Sequence, residues 1–172
     1  EKRTLHIHLS SWSPSLVTKK FQYDIKQCSL YPLTFRAFTF SSDPSSSFAL
    51  YKSYFQFAKV RNLQKPNLGR LLSQPESFIC TSLVYGDHMS NHIYITDSKR
   101  ARLLYSWTLF PDNAVSKVKS GLNKTHTLRS IEYFRDAGFL IYDFGGYNPK
   151  RSNGIDIFKS RFGGSLVLEY NY

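Results

Sequence analysis

The sequence predicts an α+β fold built on one mixed sheet, and three features of its 172 residues lead to this prediction. Three strand-like segments with short turns between them follow one another over residues 78–109, which is typical of an antiparallel meander. A helix with an apolar face follows over Thr125–Ala137. The apolar run Phe139–Phe144 then has the composition of a strand buried on both faces. The helix is therefore expected to form a right-handed crossover between parallel neighbours.

The first half of the chain is expected to add two strands and two helices. Thr4–Ser10 and Leu33–Phe40 alternate apolar and polar residues, which is the period of a half-buried strand. The turn "SSDPSSS" offers Asp43 as a helix cap, and apolar residues three and four positions apart predict a helix over Phe48–Val60. A polar connection with a short helix around Leu71 follows.

The meander and the C-terminal elements complete the predicted fold. The meander strands are Phe78–Tyr85, Asn91–Thr96 and Ala101–Leu109. Gly138 stands where the C-cap of the long helix belongs, and a short helix over Asn153–Arg161 precedes a last strand over residues 165–172. No repeat or linker divides the chain, so we expect one domain over residues 1–172. Because a change from antiparallel to parallel pairing splays a sheet, we expect a ligand cleft at the parallel pair.

Basic residues dominate the charge, with 23 Lys and Arg against 12 Asp and Glu and a net charge of +11. This balance predicts affinity for nucleic acid, anionic lipid headgroups or a phosphorylated small molecule, with a merely basic surface as the alternative. No apolar run has the length of a membrane span, and the start "EKRTLHIHLSSW" does not resemble a signal peptide. Cys28 and Cys80 lack a Cys-x-x-Cys spacing, so we expect buried thiols in a cytoplasmic protein.

Several short motifs follow one another in the C-terminal half of the chain. They are Tyr142–Gly146, Gly154–Ile155, Phe158–Lys159 and Phe162–Gly164. In this order they resemble the C-terminal half of acyltransferase domains in the GNAT (Gcn5-related N-acetyltransferase) superfamily. The nearest groups are the Fem-type aminoacyltransferases of peptidoglycan bridge synthesis and their single-domain relatives in envelope polysaccharide pathways. The resemblance covers roughly residues 100–172 and implies a GNAT-like mixed sheet with a splayed cleft.

The resemblance also implies an N-acyltransferase that moves an acyl or aminoacyl group to an amine. The implied acceptor is a phosphorylated envelope precursor such as a nucleotide-linked amino sugar. The stretch "KVKSGLNKT" has one glycine where acetyl-CoA enzymes of the superfamily have Gln/Arg-x-x-Gly-x-Gly/Ala. Fem-type enzymes also carry two such domains. The donor therefore stays open between acyl-CoA and aminoacyl-tRNA, as a substrate and not a permanently bound cofactor, and an oligomer stays open too.

The candidate catalytic residues lie around two glycine pairs, Gly145–Gly146 and Gly163–Gly164. The resemblance implies that Phe158 and Lys159 lie near the transfer site. An amine that attacks an ester or thioester builds negative charge on the carbonyl oxygen, which the Lys159 amine would stabilise. Tyr147 is a candidate proton donor to the leaving thiolate, and Asp143 is expected to hold the turn through backbone hydrogen bonds. The alternative for Lys159 is a surface lysine on a short helix.

A donor-binding site is expected where the long helix begins. The candidates for a phosphate cradle there are Lys119, Gly121, Asn123 and Lys124. Helix N-termini offer unpaired N–H groups and a positive dipole end, and cations gather there most readily when an anion binds. The alternative is a capped helix with a solvated basic approach.

A substrate-binding site is expected at the turn after the buried strand. Gly145 and Gly146 supply turn geometry and let a ligand approach the backbone closely. Lys150 and Arg151 follow in the loop, where they either grip phosphates or are solvated.

Two other classes of function were weighed on the same residues. His6 and His8 alternate on a strand without a carboxylate near them in the sequence, so a polar strand face is expected and no metal. A non-catalytic RNA-binding module could use a basic aromatic sheet to stack bases. The aromatic residues, 16% of the chain, stand mostly at positions with core periodicity, which favours the acyltransferase.

Overall fold

The computed structural model describes residues 2–63, 65–148 and 154–169, which form a seven-stranded sheet with helices on both faces. The strands are Lys2–His8 (β1), Thr34–Thr39 (β2), Phe78–Tyr85 (β3), His88–Thr96 (β4), Arg100–Leu109 (β5), Ile141–Gly146 (β6) and Ser165–Glu169 (β7). The helices are Lys19–Cys28 (α1), Pro44–Val60 (α2), Leu68–Ser73 (α3), Ser116–Asp136 (α4) and Gly154–Ser160 (α5).

The strands lie in the order β2-β3-β4-β5-β6-β1-β7. The β3-β4-β5 meander is antiparallel and β5 pairs with β6 in parallel, so the predicted α+β class and mixed sheet are confirmed. The long helix α4 joins these parallel neighbours. The first strand of the chain, β1, lies between β6 and β7 and pairs antiparallel with both. The start and the end of the described chain therefore meet beside the parallel pair.

Successive strand residues point to opposite faces of the sheet and so divide the core in two. Tyr94 and Tyr142 are fully buried in the cluster under α1 and α4. Ile93 and Trp107 are buried in the cluster under α2 and α3. Both free cysteines are also buried, as predicted.

The structure confirms two of the predicted helix ends and contradicts a third. Asp43 accepts a hydrogen bond from the Ser46 amide, 3.0 Å, and caps α2, and Gly138 follows α4 with a φ of +86°. The prediction that the long helix begins at Thr125 is wrong, because α4 begins at Ser116. Helix α1 was not predicted at all.

Gly121 explains why the early turns of α4 were mistaken for a break. A Cβ at this position would lie 2.4 Å from Cys28 Cβ and 2.6 Å from the Asp24 carbonyl oxygen, both in α1. The glycine therefore lets the two helices cross at close range and does not end a helix. Within the described residues, no helix combines the length and the apolar composition needed to cross a membrane.

Candidate functional site

The sheet opens where β5 and β6 stop pairing. Their parallel register matches residues 100–102 with residues 141–143. β5 then continues beside β4 to Leu109, whereas β6 ends at Gly146. A cleft of about 840 Å³ lies at this divergence, which confirms the predicted splay. Its lining includes Thr4, Arg102, Leu103, Leu104, Gly145 and Gly146, and we name it the β5–β6 cleft.

A β-bulge in β5 lies at this cleft. The β4–β5 register pairs Ile93 with Tyr105. The next pair is Tyr94 with Leu103, so Leu104 is an extra residue in β5. A bulge leaves its extra residue outside the regular ladder. Because Leu104 lines the cleft, the backbone at the bulge is a candidate donor of a hydrogen bond to a ligand.

Asp143 is fully buried next to the cleft and is held by several donors. Its Oδ1 accepts hydrogen bonds from Thr4 Oγ1 and from the Gly145 amide, the latter 2.7 Å long. Its Oδ2 lies 2.5 Å from Arg102 Nε and 3.4 Å from His6 Nε2. Burial opposes the charge, but these donors hold the pKa of the carboxyl well below its usual range. Asp143 is therefore an anion that fixes the backbone at Gly145, which is the role predicted for it.

Two arginines bridge Asp143 to the last strand. Arg102 Nη2 donates to Glu169 Oε1, and Arg100 Nη1 lies 2.7 Å from the same oxygen. The hydrogen bond from Arg102 lowers the pKa of Glu169. The expectation that His6 has no carboxylate nearby is wrong, since ligand atoms of His6, Asp143 and Glu169 lie within 4.8 Å of one another. Because the arginines already occupy both carboxylates, this cluster fits an ion-pair network better than a metal centre.

The end of β6 lies beside Lys159 of α5. Gly145 has a φ of +71°, and a Cβ there would lie 2.9 Å from the Leu103 carbonyl oxygen, so the position requires glycine. The Lys159 amine donates a 2.5 Å hydrogen bond to the carbonyl oxygen of Gly146, a cleft residue. The side chain is partly buried, and this burial lowers the pKa of the Lys159 amine despite two nearby carboxylates. The amine is therefore held against a residue of the cleft wall, through a hydrogen bond that is itself exposed.

Phe158 anchors the helix that carries Lys159. Its ring centroid lies 5.5 Å from that of Phe21 and 5.3 Å from that of Phe162, on the α1 side of the sheet. The ring of Phe158 thus packs α5 against the core. Phe158 is not among the described residues that line the cleft. The structure gives Phe158 a supporting position. Lys159 is likewise absent from the described lining and reaches the cleft wall through its hydrogen bond to Gly146.

Tyr147 lines the cleft directly after the glycine pair. Its amide donates a 2.8 Å hydrogen bond to the Arg3 carbonyl oxygen, and its ring packs against the core. Gly145, Gly146 and Tyr147 therefore come together at one site. Lys150 and Arg151 lie outside the described residues.

The residues predicted to form a phosphate cradle lie elsewhere. Because α4 begins at Ser116, the prediction that Gly121 marks its start is wrong, and this glycine is buried against α1. The Lys124 amine pairs with Asp24 of α1 at 2.5 Å. Lys119 lines a separate depression near the end of β5. The amides around Gly121 therefore lie within a helix and cannot form a cradle at its N-terminus.

Asn123 belongs to a buried polar network between α4 and the sheet that was not predicted. Its Oδ1 lies 3.0 Å from His92 Nε2, and the His92 and His126 rings stack with centroids 3.8 Å apart. His126 Nε2 lies 2.7 Å from Thr81 Oγ1. Burial lowers the pKa of His92 to about 4 and the pKa of His126 well below its usual value. Both imidazoles are therefore neutral at pH 7.

Comparison with known proteins supports the fold. No family model matches the sequence, and no curated protein does either. Among solved structures, FemX superposes with a TM-score of 0.69 at 9% identity, over 95% of this chain and 59% of that one. The C-terminal DUF2156 domain of a protein described as a lysylphosphatidylglycerol synthetase, from Agrobacterium fabrum, gives 0.66 at 13% identity, over 96% and 57%. L-PGS from Bacillus licheniformis gives 0.62 at 8% identity, over 96% and 57%.

The chain thus spans less than three fifths of the length of each of these proteins. Identities this low establish a shared fold. The α+β sheet described above therefore has the GNAT-like fold of FemX and the lysylphosphatidylglycerol synthetase domain, and the predicted resemblance to Fem-type proteins is confirmed at the level of the fold.

Proposed function

We propose that this chain is an acyltransferase domain whose β5–β6 cleft passes an acyl or aminoacyl group from an activated carrier to an amine. The acceptor is an amine of an envelope precursor such as a nucleotide-linked amino sugar. One observation carries the proposal: the Leu104 bulge and Gly146, whose carbonyl oxygen accepts a hydrogen bond from the Lys159 amine, line one cleft in a fold shared with FemX. N–H groups at such a cleft are suited to a developing oxyanion.

The proposed reaction is direct attack at the carbonyl carbon of the donor. The acceptor nitrogen forms a bond to that carbon, and the carbonyl electrons move to the oxygen. Hydrogen bonds from Lys159 and from the backbone at Leu104 stabilise this oxyanion. Collapse of the intermediate forms the amide and expels a thiolate or alkoxide, while the nitrogen gives its proton to a water molecule that passes it to bulk solvent. Tyr147, on the cleft wall, is the proposed proton donor to the leaving atom.

Catalysis in this scheme depends mostly on positioning. Asp143 is an anion with its oxygens occupied by fixed donors, so it is unsuited to remove a proton. It instead holds the backbone at Gly145. The carbonyl oxygen of the next residue, Gly146, accepts the hydrogen bond from the Lys159 amine. Such preorganisation is a large part of the barrier reduction in acyl transfer.

An aminoacyl carrier is favoured over acetyl-CoA as the donor. The amides around Gly121 lie inside α4 and are unsuited to bind a pyrophosphate. One similar solved structure is described as a domain of a lysylphosphatidylglycerol synthetase, a name that refers to a lysyl group. The RNA-binding alternative gains no support, because large rings such as Tyr94, Tyr142 and Trp107 are buried and cannot stack bases.

The proposal is tested by direct assay. The protein is incubated with CoA thioesters or aminoacyl-tRNA and with amine acceptors that include uridine- and thymidine-linked amino sugars. Mass spectrometry should detect an amide product, together with released thiol or deacylated tRNA. If none of these donors binds and no amide forms, the acyltransferase assignment is withdrawn.

A further inference from the structure

We propose that a second depression, beside Tyr105, binds the phosphate and base of a nucleoside phosphate whose reactive end lies in the β5–β6 cleft. This inference rests on the proposed function and names a substrate class for it. The depression has a volume of about 330 Å³ and lies between α3 and β5. Lys65, Asn67, Arg70, Leu104 and Tyr105 contribute to its lining, and we name it the Tyr105 depression.

The Tyr105 depression adjoins the β5–β6 cleft. Leu104, the bulge residue, lines both of them. A strand rises by about 3.3 Å per residue, so Arg102 at the cleft and Tyr105 lie roughly 10 Å apart along β5. A nucleoside phosphate joined to a reacting group can span such a distance. One extended ligand can therefore occupy both sites.

The charged residues described at the lining of the Tyr105 depression are all basic. Lys65 and Arg70 line it, and no carboxylate does. Both side chains are exposed, and neither forms an ion pair within the described parts of the chain. Arg102 and Lys124, by contrast, are each paired with an acid. Cations without a neighbouring acid attract an anion, and Arg binds phosphate with paired N–H groups.

An aromatic ring completes the Tyr105 depression. Tyr105 is partly buried, and its ring centroid lies 4.5 Å from that of Tyr54, which holds the ring in place. Nucleobases stack on rings of this kind, and a neighbouring Arg adds a second planar surface. Two cations and a ring match a nucleoside phosphate better than a bare phosphate, which needs no ring.

Calorimetric titration with AMP, UDP and inorganic phosphate tests this site. Lys65→Ala/Arg70→Ala should weaken nucleotide binding tenfold or more. The matched control, Lys52→Ala/Lys59→Ala, removes two exposed cations of α2 that line neither site and should leave binding unchanged. Preference for AMP indicates an adenylate-bearing donor, and preference for UDP indicates a nucleotide-linked acceptor. Equal binding by wild type and the Lys65→Ala/Arg70→Ala variant overturns the inference.

Two further measurements separate this inference from the proposed function. Tyr105→Phe should retain binding because it keeps the ring, and a loss tenfold or greater would contradict the stacking role. In transfer assays, Lys65→Ala/Arg70→Ala should raise KM about tenfold for the nucleotide-bearing substrate. The control Lys52→Ala/Lys59→Ala should leave both KM and kcat unchanged. If the variant transfers the acyl group with an unaltered KM, the nucleotide-binding role of the Tyr105 depression is overturned and the acyltransferase assignment stands. If nucleotide binding depends on Lys65 and Arg70 but no transfer occurs, the acyltransferase assignment is overturned and the binding site stands.

Discussion

Lys159 lies near the end of α5, and its amine reaches the wall of the cleft at Gly146. Its amine bonds the Gly146 carbonyl from a side chain that is not needed for the core. Lys159→Met should therefore lower kcat by about 10²–10³-fold, the usual cost of losing one oxyanion donor. The free energy of unfolding should change by less than about 1 kcal/mol, because the hydrogen bond is partly exposed.

Steady-state kinetics and thermal unfolding check this prediction on the same samples. Lys20→Met is the matched control, because Lys20 is an exposed lysine of α1 away from the cleft lining. A Lys159→Met variant with normal kcat would remove the lysine from the proposed mechanism. A large loss of stability would assign it a structural role instead.

Asp143 is the residue on which the geometry of the turn depends. Asp143→Asn removes the charge opposite Arg102 and places an N–H donor against the Thr4 hydroxyl or the Gly145 amide. Because this leaves buried donors unpaired, the free energy of unfolding at pH 7 should fall by about 3 kcal/mol or more. Urea denaturation measures this loss.

The matched substitution is Asp136→Asn, at an acid whose side chain is 70% exposed. It should change stability by no more than about 0.5 kcal/mol. Similar small effects at both positions would mean that the Asp143 network does not hold the turn. Since the pKa of Asp143 is lowered, its contribution is present at neutral pH and is lost only as the pH falls below about 4.

At the scale of elements, the crossing of α1 and α4 sets the position of the long helix. Gly121→Ala places a methyl group 2.4 Å from Cys28 Cβ, so the helices must separate. Overpacking of this kind should cost about 3 kcal/mol. Gly154→Ala, where an added Cβ meets no atom within 4 Å, should be close to neutral. Thermal unfolding compares the two, and equal melting temperatures would contradict the close crossing.

The same crossing shows what could be predicted from sequence. The meander strands are strand-like segments joined by short turns, and Asp43 and Gly138 carry local capping chemistry, so these elements were predicted correctly. Gly121 was misread because a glycine required by a tertiary contact looks like a helix break. Helix α1 was not predicted, because it closely follows a serine- and proline-rich turn and has few apolar residues, although Phe21 and Ile25 have helical spacing.

The candidate site was predictable only in its local part. The motif Tyr142–Gly146 and Lys159 are close in sequence, so the bond between the Lys159 amine and Gly146 was within reach of local prediction. Asp143 meets Thr4 and Arg102 across long stretches of chain, and the position of β1 beside β6 decides these contacts. No local pattern encodes such pairing, and the ion-pair network therefore emerged only from the structure.

At the scale of the whole molecule, the buried histidines make stability depend on pH. In the unfolded chain, His92 takes up a proton below about pH 6.5, whereas in the folded protein its pKa is about 4. Stability should therefore be greatest above pH 6.5 and fall on acidification. His92 alone should account for about 2 kcal/mol at pH 5, and His126 acts in the same direction.

Urea denaturation between pH 7 and pH 4.5 measures this dependence. His92→Gln should flatten the profile, because the glutamine does not titrate. His8→Gln is the matched control at an exposed histidine and should keep the wild-type profile. An unchanged slope in His92→Gln would show that the imidazole is charged or solvated in the native protein.

The net charge of +11 acts at this scale too, because a positive field would attract the anionic substrates that we propose. The central claim concerns where the reacting group then lies. A crystal structure with a non-reactive amide analogue of the donor identified by assay tests it most directly. We expect the analogue carbonyl oxygen in the β5–β6 cleft, within hydrogen-bond distance of the Lys159 amine. A carbonyl bound outside the cleft, with that amine still bonded to Gly146 alone, would contradict the account.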